Sequence, residues 1–147
     1  MTKLVAVLAG VACALVVVAA STAAGTTTTW TAALSSGQEV PKQDVKDTSA
    51  KGLFKGTLKG STLSWKLTYS HLTGPATAAH IHMAAKGKAG NVVVPLCGGT
   101  PACKSGLTGK ATLTPSLQSA FKKHLLYVNV HTAKNPNGEI RGQLAVG

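Results

Sequence analysis

Three histidines are the residues of this chain best placed to do chemistry. In Ala79-His80-Ile81-His82-Met83 apolar residues alternate with imidazoles, and a strand's period of two sends Ala79, Ile81 and Met83 to the core. His80 and His82 then leave the outer face side by side. Their Cα atoms stand about 7 Å apart on such a strand, close enough for two ring nitrogens to reach one ion. In Leu126-Tyr127-Val128-Asn129-Val130-His131 the even positions are apolar, so His131 also lies on an outer face. A third imidazole beside the pair completes a three-nitrogen site with an open position, which suits copper or zinc. Strand order decides whether His131 reaches the pair, and pattern does not supply strand order. The competing reading is a set of solvated surface histidines. His71 and His124 have no partner at a useful spacing and read as structural or exposed.

The last strand extends the same arithmetic. Ile140, Leu144 and Val146 go inward, and Glu139, Arg141 and Gln143 go outward. Asn135-Pro136-Asn137-Gly138 is a strong hairpin turn. Pairing around it sets His131 opposite Glu139 or Arg141, the registers that keep both apolar faces on the core. Asn129, Glu139 and Arg141 are therefore expected to surround the imidazoles. The plainer alternative for Glu139 and Arg141 is a cross-strand surface pair contributing a few tenths of a kcal/mol.

Composition removes several other chemistries. The chain has 147 residues, room for one domain, with fifteen Lys and Arg against four Asp and Glu and a formal charge of +11. So few carboxylates nearly exclude a Ca²⁺ or Mg²⁺ cage and argue against a paired-carboxylate hydrolase. No GxxxxGK[ST] or GxGxxG is present, which leaves nucleotide chemistry without a foothold. No Asp lies beyond Asp47 to orient a histidine, so a Ser-His-Asp or Cys-His nucleophile is not credible. Lys51, Lys55 and Lys59 share one outer strand face and form a candidate anion patch; the alternative is that they only keep the domain soluble. Nucleic acid is disfavoured, because aromatics are 4 % of the chain and no recognition motif appears.

The elements that must position these residues are almost all strands. Met1-Thr2-Lys3, the apolar run Leu4 to Ala20 and the small residues after it have the order of a secretory signal peptide, assigned to residues 1–24. An uncleaved anchor is the alternative reading of that long run. Removing it takes Lys3 away and leaves a charge of +10 on the exported, non-membrane-spanning form; Cys13 has no assigned role. Export agrees with Cys97-Gly-Gly-Thr-Pro-Ala-Cys103, read as a disulfide-closed loop rather than a two-thiolate metal site. Strands read at 28–34, 51–59, 63–70, 76–83, 91–96, 106–113, 125–132 and 139–146, within a domain spanning 28–146. Gln38 to Ala50 reads as a loop. Thr114 as cap, Pro115 at the first position and Leu117, Ala120, Phe121 and His124 at helical spacing predict one short helix near 115–124. About eight short strands with turns between them argue for an all-β antiparallel sandwich or barrel.

Three segments resemble the CHRD (chordin-type) domain family. Ala33-Leu34-Ser35-Ser36-Gly37-Gln38-Glu39-Val40-Pro41 is similar to its opening L-S-G-x-Q-E-V-P, and Ala78-Ala79-His80-Ile81-His82 to its central A-A-H-I-H. Tyr127 to Thr132 and Asn137 to Leu144 are similar to its closing Y-V-N-V-H-T and G-E-I-R-G-Q-L. The resemblance implies a Greek-key, immunoglobulin-like β-sandwich distantly similar to Cu/Zn superoxide dismutase, in a secreted family with no general biochemical function established. By the dismutase comparison His80, His82 and His131 are copper-type ligands and Arg141 stands where an anion-guiding arginine belongs. Met83 to Gly90, however, carries none of the His or Asp that a zinc subsite needs, so dismutase activity is improbable.

The expected role is thus an exported, non-enzymatic binding protein, secreted or held in the cell envelope, with a copper-type ion on three histidines. Proton competition is expected to weaken that binding as pH falls through about 5.5 to 6.5. The alternative is a metal-free interaction module whose basic surface meets an anionic cell-surface polymer or a protein partner. Mononuclear copper redox activity is a third, weaker reading.

Overall fold

The computed structural model describes residues 26–43 and 49–147. The proposed signal peptide and Cys13 lie outside these residues. Nine strands are present: β1 (Thr27–Ser35), β2 (Lys51–Lys59), β3 (Thr62–Ser70), β4 (Ala76–Met83), β5 (Asn91–Cys97), β6 (Leu107–Thr112), β7 (Leu126–Thr132), β8 (Ile140–Gln143) and β9 (Ala145–Val146). A 3-10 turn follows β1 at Ser36–Gln38, and helix α1 covers Pro115–Lys122.

The strands form one antiparallel sheet in the order β5-β4-β7-β8-β1-β2-β3-β6, with β9 pairing β1. Alternation dictates the two faces. Along β2 and β3, Phe54, Leu58, Leu63, Trp65 and Leu67 are buried while Lys51, Lys55, Lys59 and Lys66 are exposed. Buried residues of β1 through β5, β7 and β8 join a single apolar cluster against which Leu107 and Ala111 of β6 pack. A sheet whose two ends share one core must curl back on itself, giving the sandwich- or barrel-like all-β architecture expected. Helix α1 closes one end. Thr114 Oγ1 accepts from the Leu117 N–H at 3.3 Å as its cap, and Phe121 meets Trp30 edge-on at 5.1 Å between centroids.

Cys97 and Cys103 form the expected disulfide, with Cα atoms 5.2 Å apart. Two inward assignments are corrected. Met83 is 44 % and Val146 58 % exposed. Met83 ends β4 beyond the core. The last strand breaks at Leu144, whose N–H bonds to the Leu126 carbonyl. Past it the chain crosses to β1, where Val146 pairs with Trp30 on the rim.

Candidate metal centre

Strand order brings the three histidines together. β4 and β7 are far apart in sequence but adjacent in the sheet, with Ala78 opposite His131, His80 opposite Asn129 and His82 opposite Tyr127. Asn129 in turn faces Arg141 on β8, and Tyr127 faces Gln143. His80, His82, Tyr127, Asn129, His131 and Arg141 therefore tile one outer patch. His131 sits diagonally from His80, a relation within reach of long side chains. Ring centroids are 5.5 Å apart for His80–His82, 5.0 Å for His80–His131 and 6.1 Å for His82–His131. One ring nitrogen from each lies within 4.8 Å of the others. Bonds of 2.0–2.1 Å to one ion need donor separations of roughly 3.3–4.1 Å, so the trio closes on an ion by shifts of about 1 Å.

Hydrogen bonds fix which nitrogens are offered. His82 Nδ1–H donates to the Gly90 carbonyl at 2.9 Å, and His131 Nδ1–H donates to the Pro136 carbonyl at 3.0 Å. A carbonyl only accepts, so both rings hold their proton on Nδ1 and carry the lone pair on Nε2. His82 Nε2 is buried and without a hydrogen-bond partner. His80 Nδ1 faces His131 Nε2 at 3.2 Å. His131 Nε2 accepts from His80 Nδ1–H, a bond that a metal ion on these nitrogens would replace, and carbonyl-anchored imidazoles are the arrangement that orients metal ligands. All three rings are pushed toward the neutral form. Burial first, then the charges of His131 and His82, lower the His80 pKa to about 4. Burial also lowers His82, with Arg141 adding to the effect against the Gly90 bond. His131 is lowered by burial and by His82 against the Pro136 bond.

The patch is not on open solvent, which corrects the expectation of an exposed outer face. His82 is 9 % exposed and His80 and His131 are half-buried. The chain leaving β4 folds back over the sheet and docks through main-chain carbonyls. Gly90 O takes His82, Lys88 O accepts Arg141 Nη2 at 2.7 Å, and Ala84 O accepts Gln143 Nε2 at 3.1 Å. Gly90 is required, because a Cβ there would overlap the Met83 carbonyl. The segment without metal-ligating side chains therefore serves the site through its backbone. His82 lies flat on Tyr127 at 4.8 Å, and the Arg141 guanidinium sits 3.5 Å from the centroid of the same ring.

Asn129, Glu139 and Arg141 are all near the trio in the sheet, yet none is solvent-exposed and they differ in role. Arg141 is 2 % exposed and Asn129 4 %. Asn129 Nδ2 donates to Glu39 Oε2 at 3.1 Å. Glu39, which the loop reading of Gln38 to Ala50 gave no role, is itself buried. Desolvation raises its pKa to about 7 against the opposing charge of Arg141 and the bonds from Asn129 and Val40. Gly138, at φ +129°, lies over this pair, where a Cβ would press on the Asn129 amide and the Glu39 carboxylate. Glu139 turns away from the histidines. Its carboxylate accepts from Thr73 N–H (2.6 Å), Thr73 Oγ1 (2.7 Å), Thr132 Oγ1 (2.6 Å) and Asn135 Nδ2 (3.0 Å). Burial alone would push its pKa up, but the donors of Thr132, Thr73 and Asn135 outweigh it and hold the group below the usual carboxylate range. It is an anchor of the β7–β8 hairpin rather than a neighbour of the three imidazoles. His71 and His124 stand outside the patch: His71 Nδ1 bonds Ser70 Oγ and His124 packs near Trp30.

No curated protein and no solved structure matches the chain, so the likeness to superoxide dismutase carries no argument here. A family model for the CHRD domain matches residues 30–144, from Trp30 in β1 to Leu144 after β8. The match takes in β4, β7 and β8 with all three histidines, and it supports an extracellular-type binding module. The chain belongs to the CHRD domain family.

Proposed function

We propose that this CHRD domain is an exported, non-enzymatic binding protein that holds a copper-type ion, with zinc second, through His80 Nδ1, His82 Nε2 and His131 Nε2. The observation that carries the reading is the pinning of two rings by Gly90 and Pro136 carbonyls while one nitrogen from each of the three rings lies within 4.8 Å of the others. Three soft-to-borderline nitrogen donors without a carboxylate select copper or zinc over magnesium or calcium. Binding rather than turnover is the proposed role, because the 84–90 segment contributes carbonyls and no His, Cys, Asp or Glu that would extend the ligand set. The amino-terminal run of residues 4–20 supports export.

The test is metal analysis of protein purified without a histidine tag, followed by Cu²⁺ titration against a competing chelator. One equivalent is expected to bind, and the His80→Ala, His82→Ala, His131→Ala triple variant is expected to bind none at the same concentration. Unchanged stoichiometry and affinity in that variant refutes the assignment. The metal-free adhesive alternative rests on a different surface, the lysine-bearing face of β2 and β3.

A further inference from the structure

A groove runs along the outer face of β2 and β3, away from His80, His82 and His131. Three adjoining cavities compose it. The first, about 180 Å³, lies between Leu53, Lys55, Lys66 and Thr68. The second, about 530 Å³, shares Leu53 and Thr68 with it and continues past Lys51 to Tyr69 and Ser70. The third, about 340 Å³, shares Tyr69 and Ser70 and ends at Lys104 and Ser105. From Lys66 to Ser70 the floor follows β3 for about 13 Å before turning toward the disulfide loop.

Its chemistry is one-signed. Lys55 and Lys66 are direct cross-strand partners, a like-charge pairing that costs stability and has no compensating acid. Among the described residues the only Asp or Glu side chains are Glu39 and Glu139, and neither lines the groove. Hydroxyls of Thr68, Ser70 and Ser105 line it, tied to the Leu53 carbonyl, His71 Nδ1 and the Tyr69 main chain but each with an oxygen lone pair to spare, and Leu53, 38 % exposed, supplies an apolar step in the floor.

We propose that this groove binds a linear carboxylated polysaccharide. Spaced ammonium groups meet carboxylates as point charges, serine and threonine hydroxyls meet ring hydroxyls, and Leu53 takes the apolar face of a sugar. A polyphosphate fits less well. Lysine meets phosphate and carboxylate alike as a point charge, but a polyphosphate chain has neither hydroxyls for Thr68 and Ser70 nor an apolar face for Leu53. Nucleic acid lacks its stacking partners, since no Trp or Phe is exposed and Tyr69 is half-buried.

Polygalacturonate serves as the probe, with neutral dextran and inorganic polyphosphate in parallel, using the full exported chain. Lys55→Gln/Lys66→Gln is compared with Lys122→Gln/Lys123→Gln, which removes the same charge at the end of α1. Polygalacturonate is expected to bind, about tenfold more weakly in the groove variant and less than twofold in the α1 variant, with affinity falling as salt rises. Dextran is expected not to bind, and polyphosphate to bind more weakly than polygalacturonate. Equal losses in both variants would reduce the groove to net charge and overturn the proposal. So would absence of polygalacturonate binding at low salt, or polyphosphate binding the tighter with the same lysine dependence. Unchanged melting temperatures in both variants establish that the comparison is between folded proteins.

Discussion

Proton competition gives the sharpest test of the histidine site. A metal ligand must be a neutral imidazole, so apparent affinity falls by the product of the protonated burdens of the three rings. For a fully solvated trio with pKa about 6.5, lowering pH to 5.5 costs each ring about elevenfold, roughly a thousandfold in all. Here His80 titrates at about 4 and is neutral at pH 5.5. His82 and His131 are also lowered, so together they contribute less than their solvated limit of about a hundredfold. The expected fall in Cu²⁺ affinity between pH 7.5 and 5.5 is therefore under about a hundredfold, and the steep loss moves below the 5.5 to 6.5 range that the bare residues suggest. The measurement is competition against a chelator of known affinity, corrected for the chelator's own protonation at each pH. A drop of a thousandfold or more over that interval would refute the reasoning, because it would mean that burial does not hold these rings neutral.

Three further outcomes follow from the buried carboxylates and the disulfide. Glu39, raised from 4.5 to about 7, keeps in the fold a proton that the unfolded chain releases, so stability declines as pH rises from about 4.5 through 7. Glu39→Gln imitates the protonated acid. Denaturant melts of metal-free protein should show it more stable than the parent at pH 8 by up to about 3 kcal/mol and equal at pH 4.5. Glu139→Gln leaves an amide hydrogen facing at least one of four donors, and urea melts at pH 7 should show a loss of about 2–4 kcal/mol. Glu139 works in the opposite pH sense to Glu39, its lowered pKa adding stability above the carboxylate range that disappears as pH falls through it. Replacing Cys97 and Cys103 by serine opens a short loop and should cost about 2 kcal/mol, read as a lower midpoint at unchanged slope.

What could be read from the residues followed their dependence on period two. Ala79, Ile81, Val128 and Val130 are buried because a strand has only two faces, and the placement of His80, His82 and His131 opposite them follows from the same fact. The β4–β7 adjacency was not legible, since their pairing spans some fifty residues and depends on how β5, β6 and α1 route the chain. The covering of the patch was hidden for a different reason. Gly90, Lys88 and Ala84 act through carbonyl oxygens, which every residue possesses, so no side-chain motif marks them. Glu39 was passed over because it stands in a polar stretch; its partner Asn129 is ninety positions away. The hairpin pattern leaves His131 opposite Glu139 or Arg141; the ladder sets Arg141 opposite Asn129, and Thr73 and Thr132 hold the Glu139 carboxylate away from the imidazoles.

The strap formed by residues 84–90 separates what must be kept from what is free to drift. Its service to the imidazole and guanidinium groups beneath comes from peptide oxygens, so Lys86, Lys88 and Ala89 can be exchanged for other residues while the ring tautomers stay put. Chain length and Gly90 cannot change so freely, since either would slide the oxygens out of reach. An engineer wishing to alter the charge around the three imidazoles therefore has a ready place to write new side chains, provided the number of peptide units between Met83 and Asn91 is preserved.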